Sequence, residues 1–127
     1  MESVWAKLIA AAAWPTWYSN ASNVVIKKPS DQLAEDVTFN WTTFGLKIAS
    51  KVAEFAPYAR LSWYGNGDQL RAYHTWLLIP RSGDGTYVVM EEIGTGDRAR
   101  HLAQTNPGHL HRGHDLWNMS LKFACEA

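Results

Sequence analysis

A chain of 127 residues, 46% apolar and 19% charged, has the size and composition of one folded domain, which excludes a disordered chain. Twelve Lys and Arg balance twelve Asp and Glu, and the densest basic spots are only Lys27-Lys28 and Arg98/Arg100, so no footprint for a nucleic acid is present. The unusual component is tryptophan: seven residues, Trp5, Trp14, Trp17, Trp41, Trp63, Trp76 and Trp117, more than a core of this size needs.

The opening segment predicts a helix. Ser3 is placed to cap it, and Trp5, Leu8, Ile9 and Ala12 fall at i, i+3, i+4 and i+7, on one face. The run Ala10–Ala13 favours helix, and Trp14-Pro15 ends it, because the residue before a proline is pushed out of the α region. Leu8 to Trp14 is apolar, but Glu2 precedes it, Lys7 abuts it and no cleavage context follows, so it does not read as a leader. No apolar run approaches the roughly 20 residues of a membrane span, so membrane insertion is not expected and a cytoplasmic location is.

From about Asn23 to Gly94 the period is two. Val24–Lys28 is a short strand, and Asp36–Thr43 a second, with Phe39, Trp41 and Thr43 on one side. In Leu46–Phe55, Leu46, Ile48, Ser50, Val52 and Glu54 share a face and Lys47, Ala49, Lys51 and Ala53 take the other, the pattern of an antiparallel strand wet on one side. Tyr58–Tyr64 follows Pro57. Gly65-Asn66-Gly67-Asp68 signals a turn, Gln69–Ile79 a strand, Ser82-Gly83-Asp84-Gly85 another turn and Thr86–Ile93 the last strand before Gly94-Thr95-Gly96. Six strands joined by short turns make a meander.

Thr95 or Asp97 can cap a short helix through Leu102, and Asn106-Pro107 reads as the start of a long one. There Leu110, His114, Trp117, Leu121 and Ala124 form an apolar stripe, Leu116, Met119 and Phe123 a second apolar side, and His111, Asp115, Asn118 and Lys122 a polar strip. A helix apolar over so much of its circumference is predicted to be largely enclosed. The lone Cys125 forms no intramolecular disulfide, which points to a reducing compartment, and no base adjoins it in sequence to make it a nucleophile. The order helix, meander, long helix is α+β, with one sheet face covering the last helix and room for an aromatic-lined pocket between them.

Several motifs together carry a family resemblance. Phe39-x-Trp41, Gly45-x-x-Ile48-x-Ser50-x-Val52-x-Glu54-x-x-Pro57, Leu61-x-Trp63, His74-x-Trp76, the segment from Gly85-Thr86 through Glu91-Glu92 to Gly94, and His114-x-x-Trp117-x-x-x-Leu121 span nearly the whole chain. So do Val4-Trp5 and Trp14-Pro15-x-Trp17. In these the chain resembles the polyketide cyclase/dehydrase-like branch of the START/Bet v 1-like superfamily. The resemblance implies a helix-grip fold, a curved antiparallel sheet wrapped around the C-terminal helix, in relatives that include lipid carriers, hormone receptors, cyclases and hydrolases. Such relatives usually begin with a strand ahead of the Val-Trp helix, whereas only Met1 and Glu2 precede Ser3 here. That first family strand is therefore expected to be missing, leaving a strand edge open, and a homodimer is the expected response.

The candidate site is the pocket between sheet and last helix. Trp41, Trp63, Trp76, Trp117 and Tyr73 are the expected lining, since large rigid aromatics with polar handles suit flat apolar ligands. His74 is in phase with Trp76 and Leu78; inward it is a pocket imidazole able to move a proton, outward a surface residue. Glu54, at the end of an aliphatic face, reads either as a carboxylate at the cavity mouth with Arg60 or Arg71 or as a strand-end residue reaching solvent. Of Glu91 and Glu92, alternation puts one inside, and the phase is open. His111 and His114, with Asp115, have metal-like spacing, but on a helix their side chains diverge by about 60°, so no metal site and no cofactor is expected. His114 is expected in the cavity. The function implied is binding of an apolar or aromatic small molecule, lipid or polyketide-like; the alternative is a cyclase or hydrolase-like enzyme with His74 or Glu92 as general acid/base. A third reading, an interaction module with no ligand, predicts a cavity filled by the protein's own tryptophans.

Overall fold

A computed structural model describes residues 1–83 and 85–126. The chain forms α1 (Glu2–Ile9), a 3-10 segment (Ala11–Thr16), β1 (Ser22–Ile26), β2 (Thr38–Thr43), β3 (Leu46–Ala56), β4 (Arg60–Gly67), β5 (Leu70–Pro80), β6 (Thr86–Thr95), α2 (Asp97–Thr105) and α3 (His109–Glu126). The strands make one antiparallel sheet in the order β1-β2-β3-β4-β5-β6, and Trp117 of α3 packs its ring against Trp41, Trp63 and Trp76 on the sheet. This is the expected α+β helix-grip architecture. No described helix is long and apolar enough to cross a membrane.

Alternation decides what the sheet presents to α3. Leu61, Trp63 and Gly65 of β4 and Ala72, His74, Trp76 and Leu78 of β5 face inward, while Tyr64, Tyr73 and Thr75 face out. The turn expected from Gly65 to Asp68 is tighter: β4 runs through Gly67, and the chain reverses at Asp68-Gln69, with Gln69 at φ 55°. Gly65 is needed for packing, since a Cβ there would stand 3.0 Å from Ile48 Cγ2. The turn expected at Ser82–Gly85 includes Asp84, which lies outside the described residues.

Other expectations change as well. Ser3 lies inside α1 rather than capping it. The alanine run does not prolong α1; the backbone breaks at Ala10 and tightens into the 3-10 segment, which drives Trp14 beneath the sheet. Asn106 closes α2 through its N–H to the Leu102 carbonyl, and α3 starts only after Gly108, at φ 86°. On α3 the stripe of Trp117 and Leu121 is buried, but Leu116, Met119 and Phe123 are 44%, 47% and 63% exposed. The sheet and α1 reach only one side of the helix, so the expected enclosure is half realised. Among the described residues, the outer edge of β6 has no neighbouring strand, and Tyr87 and Ile93 are exposed along it.

The space between sheet and helix is filled chiefly by aromatic rings. Trp14 is fully buried, with Trp41, Trp63, Trp117 and Phe39 centroids at 5.2, 5.4, 5.3 and 5.8 Å. Its indole N–H donates to the Leu8 carbonyl at 3.1 Å. Tyr18 stacks on the far face of the group, 4.5 Å from Trp117 and nearly parallel to it. Among the described residues these rings occupy the centre of the fold.

Candidate functional site

Antiparallel register places His74 of β5 directly opposite Glu92 of β6, and both residues are in the inward phase. The third member, His114, descends from α3. Glu92 Oε1 lies 2.9 Å from His74 Nδ1 and 3.1 Å from His114 Nε2, so one carboxylate oxygen joins two imidazoles. His74 is 2% exposed, with its ring stacked on Trp63 at 4.6 Å.

The electrostatics follow from burial and these contacts. Burial opposes ionisation of Glu92, but hydrogen bonds from His114 and His74 outweigh it and hold the carboxyl at about 2. Burial pushes His74 below the ordinary imidazole value, against the opposing pull of Glu92. The cluster therefore holds an anionic carboxylate beside a neutral buried imidazole at neutral pH.

This cluster forms the inner end of a cleft of about 60 Å³, walled by Trp41, Leu46, Ile48, Trp63, Leu70 and Trp117. Phe44 closes it on the outside. That residue sits in the β2–β3 turn at φ 52°, its N–H donating to Asn20 Oδ1 at 3.0 Å. Its ring rests on α3 where Gly113 has no side chain, since a Cβ there would collide with it. A larger, open groove of about 550 Å³ runs between β6, α1 and α3, and it contains none of the expected site residues.

Of the expected site, Trp41, Trp63, His74, Glu92, His114 and Trp117 come together at this cleft. Trp76 does not: it is fully buried behind the cleft, edge-on to Trp117 at 5.1 Å. Glu54, Arg60, Arg71 and Tyr73 lie on the opposite face of the sheet. There Tyr73 donates to Glu54 Oε2 at 2.8 Å, Arg60 reaches Glu54 Oε1 at 3.3 Å and the Ser62 hydroxyl meets Tyr73 at 2.7 Å, while Arg71 is exposed. The cause is a bulge in β3. Val52 pairs with Trp63 but Phe55 with Leu61, so one extra residue reverses the alternation and sends Phe55 inward and Glu54 outward. His111 also parts from His114, pairing with Asp115 at 3.3 Å on the exposed side of α3. Leu70 and Ala72 were readable from their phase with His74, whereas nothing in the sequence marks Phe44 as a cover.

The chain is similar to hypothetical protein jhp0584 from Helicobacter pylori. Identity is 30%, covering 94% of this chain and 76% of that one, with a TM-score of 0.84. The chain belongs to the family of that protein. Two further solved structures of the same fold are more distant from this chain. CV1439 from Chromobacterium violaceum is 17% identical, with 99% and 89% of the two chains covered and a TM-score of 0.68. CalU16 from Micromonospora echinospora is 15% identical, with 98% and 73% covered and a TM-score of 0.61. These two extend the fold, not the family. No family model and no curated protein matches the chain.

Proposed function

We propose that the protein binds a small, flat, largely apolar molecule beneath Phe44, with a hydroxyl or amine of the ligand donating to Glu92. The observation that carries this is the convergence of His74, Glu92 and His114 at the inner end of an aromatic-walled cleft. Placing a carboxylate and two imidazoles there is costly in an apolar setting, and such perturbed clusters mark functional sites. The resemblance to the polyketide cyclase/dehydrase-like branch of the START/Bet v 1-like superfamily supports the same location, between sheet and C-terminal helix. The volume sets the ligand's size. About 60 Å³ is well under the roughly 300 Å³ of drug-sized pockets, so a ring-sized group fits the reading better than a lipid.

The test is titration with phenol and 2-naphthol, followed by NMR shifts of the tryptophan indole N–H signals. Saturable shifts of Trp41, Trp63 and Trp117 are expected. Glu92→Leu should weaken binding about 10-fold or more, the cost of a lost hydrogen bond to a charged acceptor. Phe44→Ala should favour 2-naphthol over phenol by about 10-fold, because it removes the cover that limits the cleft to one ring. Absence of saturable shifts in both the wild type and Phe44→Ala overturns the proposal.

A second reading, acid/base catalysis in the same cleft, is favoured by the meeting of three titratable side chains at one point. Glu92, held at about 2, is a weak base and serves to orient; the neutral His74 is the better proton acceptor. This reading expects exchange of the α-protons of a small ketone with deuterated water, lost in His74→Gln. Exchange at the buffer rate in the wild type removes it.

A further inference from the structure

We propose that His74, Glu92 and His114 bind a divalent transition-metal ion of the zinc class, with one coordination position left open toward the cleft. The inference rests on reading this cleft as the functional site and names what completes it. One ligand atom from each residue lies within 4.8 Å of the others. The two nitrogen–oxygen separations, 2.9 and 3.1 Å, compare with about 3.4 Å along the edge of a tetrahedron with bonds of about 2.1 Å. The two imidazole nitrogens, up to 4.8 Å apart, must close by about 1.4 Å to reach that edge, so the ion is taken up as the His114 ring swings toward His74.

Charge points the same way. The carboxylate of Glu92 is mostly shielded from water, and its ionic contacts among the described residues are the two imidazoles alone; no Lys or Arg lines the cleft among those residues. A buried anion without a fixed counter-cation is costly, and a bound cation removes that cost.

His74 presents Nδ1 to Glu92 Oε1, so the nitrogen that would ligate an ion already faces the carboxylate. Two imidazoles and one carboxylate suit Zn²⁺ or Co²⁺ better than Mg²⁺ or Ca²⁺. Three protein ligands with an open position is also the zinc arrangement that receives a substrate oxygen.

The experiment dialyses the protein against a chelator and titrates it with Co²⁺, read by visible absorption, and then with Zn²⁺, read by calorimetry. A single equivalent of Co²⁺ is expected to develop the strong visible bands of low coordination number, and Zn²⁺ to abolish them. Glu92→Gln and His114→Gln should each raise the dissociation constant by about 100-fold or more, because even supporting residues of metal sites cost 10–100-fold. His111→Ala, on the exposed face, should leave it unchanged. Thermal melts check that the variants fold; if Glu92→Gln does not, His114→Gln decides. No uptake by the wild type, or uptake indifferent to His114→Gln, overturns the assignment. Phenol binding by the chelated protein together with no Co²⁺ uptake overturns only the metal; Co²⁺ uptake without phenol binding overturns only the ligand reading.

Discussion

Trp14→Ala is expected to lower the unfolding free energy by about 4–5 kcal/mol, the upper part of the range for removing a buried large aromatic. The residue is fully buried and touches rings from β2, β4 and α3 at once, so no neighbour can move in without leaving another contact open. Its loss also strands the Leu8 carbonyl, which accepts the indole N–H. The melting temperature should fall by about 15 °C or more. Ile93→Ala, 70% exposed on β6, is the comparison and should stay within about 0.5 kcal/mol of the wild type. Chemical denaturation of both variants measures the difference; a Trp14→Ala cost below about 2 kcal/mol contradicts the ring-filled centre.

Acidification is the second large effect. Both His74 and Glu92 have folded values below their unfolded ones, so each contributes stability that is present above its unfolded value and lost as pH falls toward its folded one. For His74 the loss begins as pH drops below about 6.5. For Glu92 it spans 4.5 down to about 2, and the shift corresponds to about 3 kcal/mol. Denaturation should be measured with a chelator present, so that protons are the only cations competing for the cluster. In Glu92→Gln the dependence between pH 4.5 and 2 should flatten by that amount; an unchanged slope there shows that Glu92 is not held ionised by its imidazole partners.

Period-two alternation carried much of the site. His74 shares its phase with Trp76 and Leu78, which left that face inward or outward, and the structure puts it inside. His114 and Trp117 fell on the inward face by the helical stripe of α3, and Trp41 and Trp63 by alternation. Glu54 was misplaced by that rule. The rule assumes unbroken pairing, and the extra residue between Val52 and Phe55 breaks it. Glu91 and Glu92 could not be separated, because both phases of β6 carry apolar residues and only the pairing of Glu92 with His74 selects one.

The sequence by itself determined the element types, the meander order, the single long C-terminal helix and the concentration of aromatic residues between them. Hydrophobic period and turn chemistry are local, so they survive in a linear reading. The tertiary structure alone decided which polar groups meet. One carboxylate oxygen lies between imidazoles 18 and 22 positions away, and Phe44 covers them by resting on the bare backbone of Gly113. Such contacts depend on strand register and on how far the helix descends over the sheet, which are global packing quantities. The same holds for Trp14, which its local sequence assigns to a helix end and which packing makes the centre of the molecule.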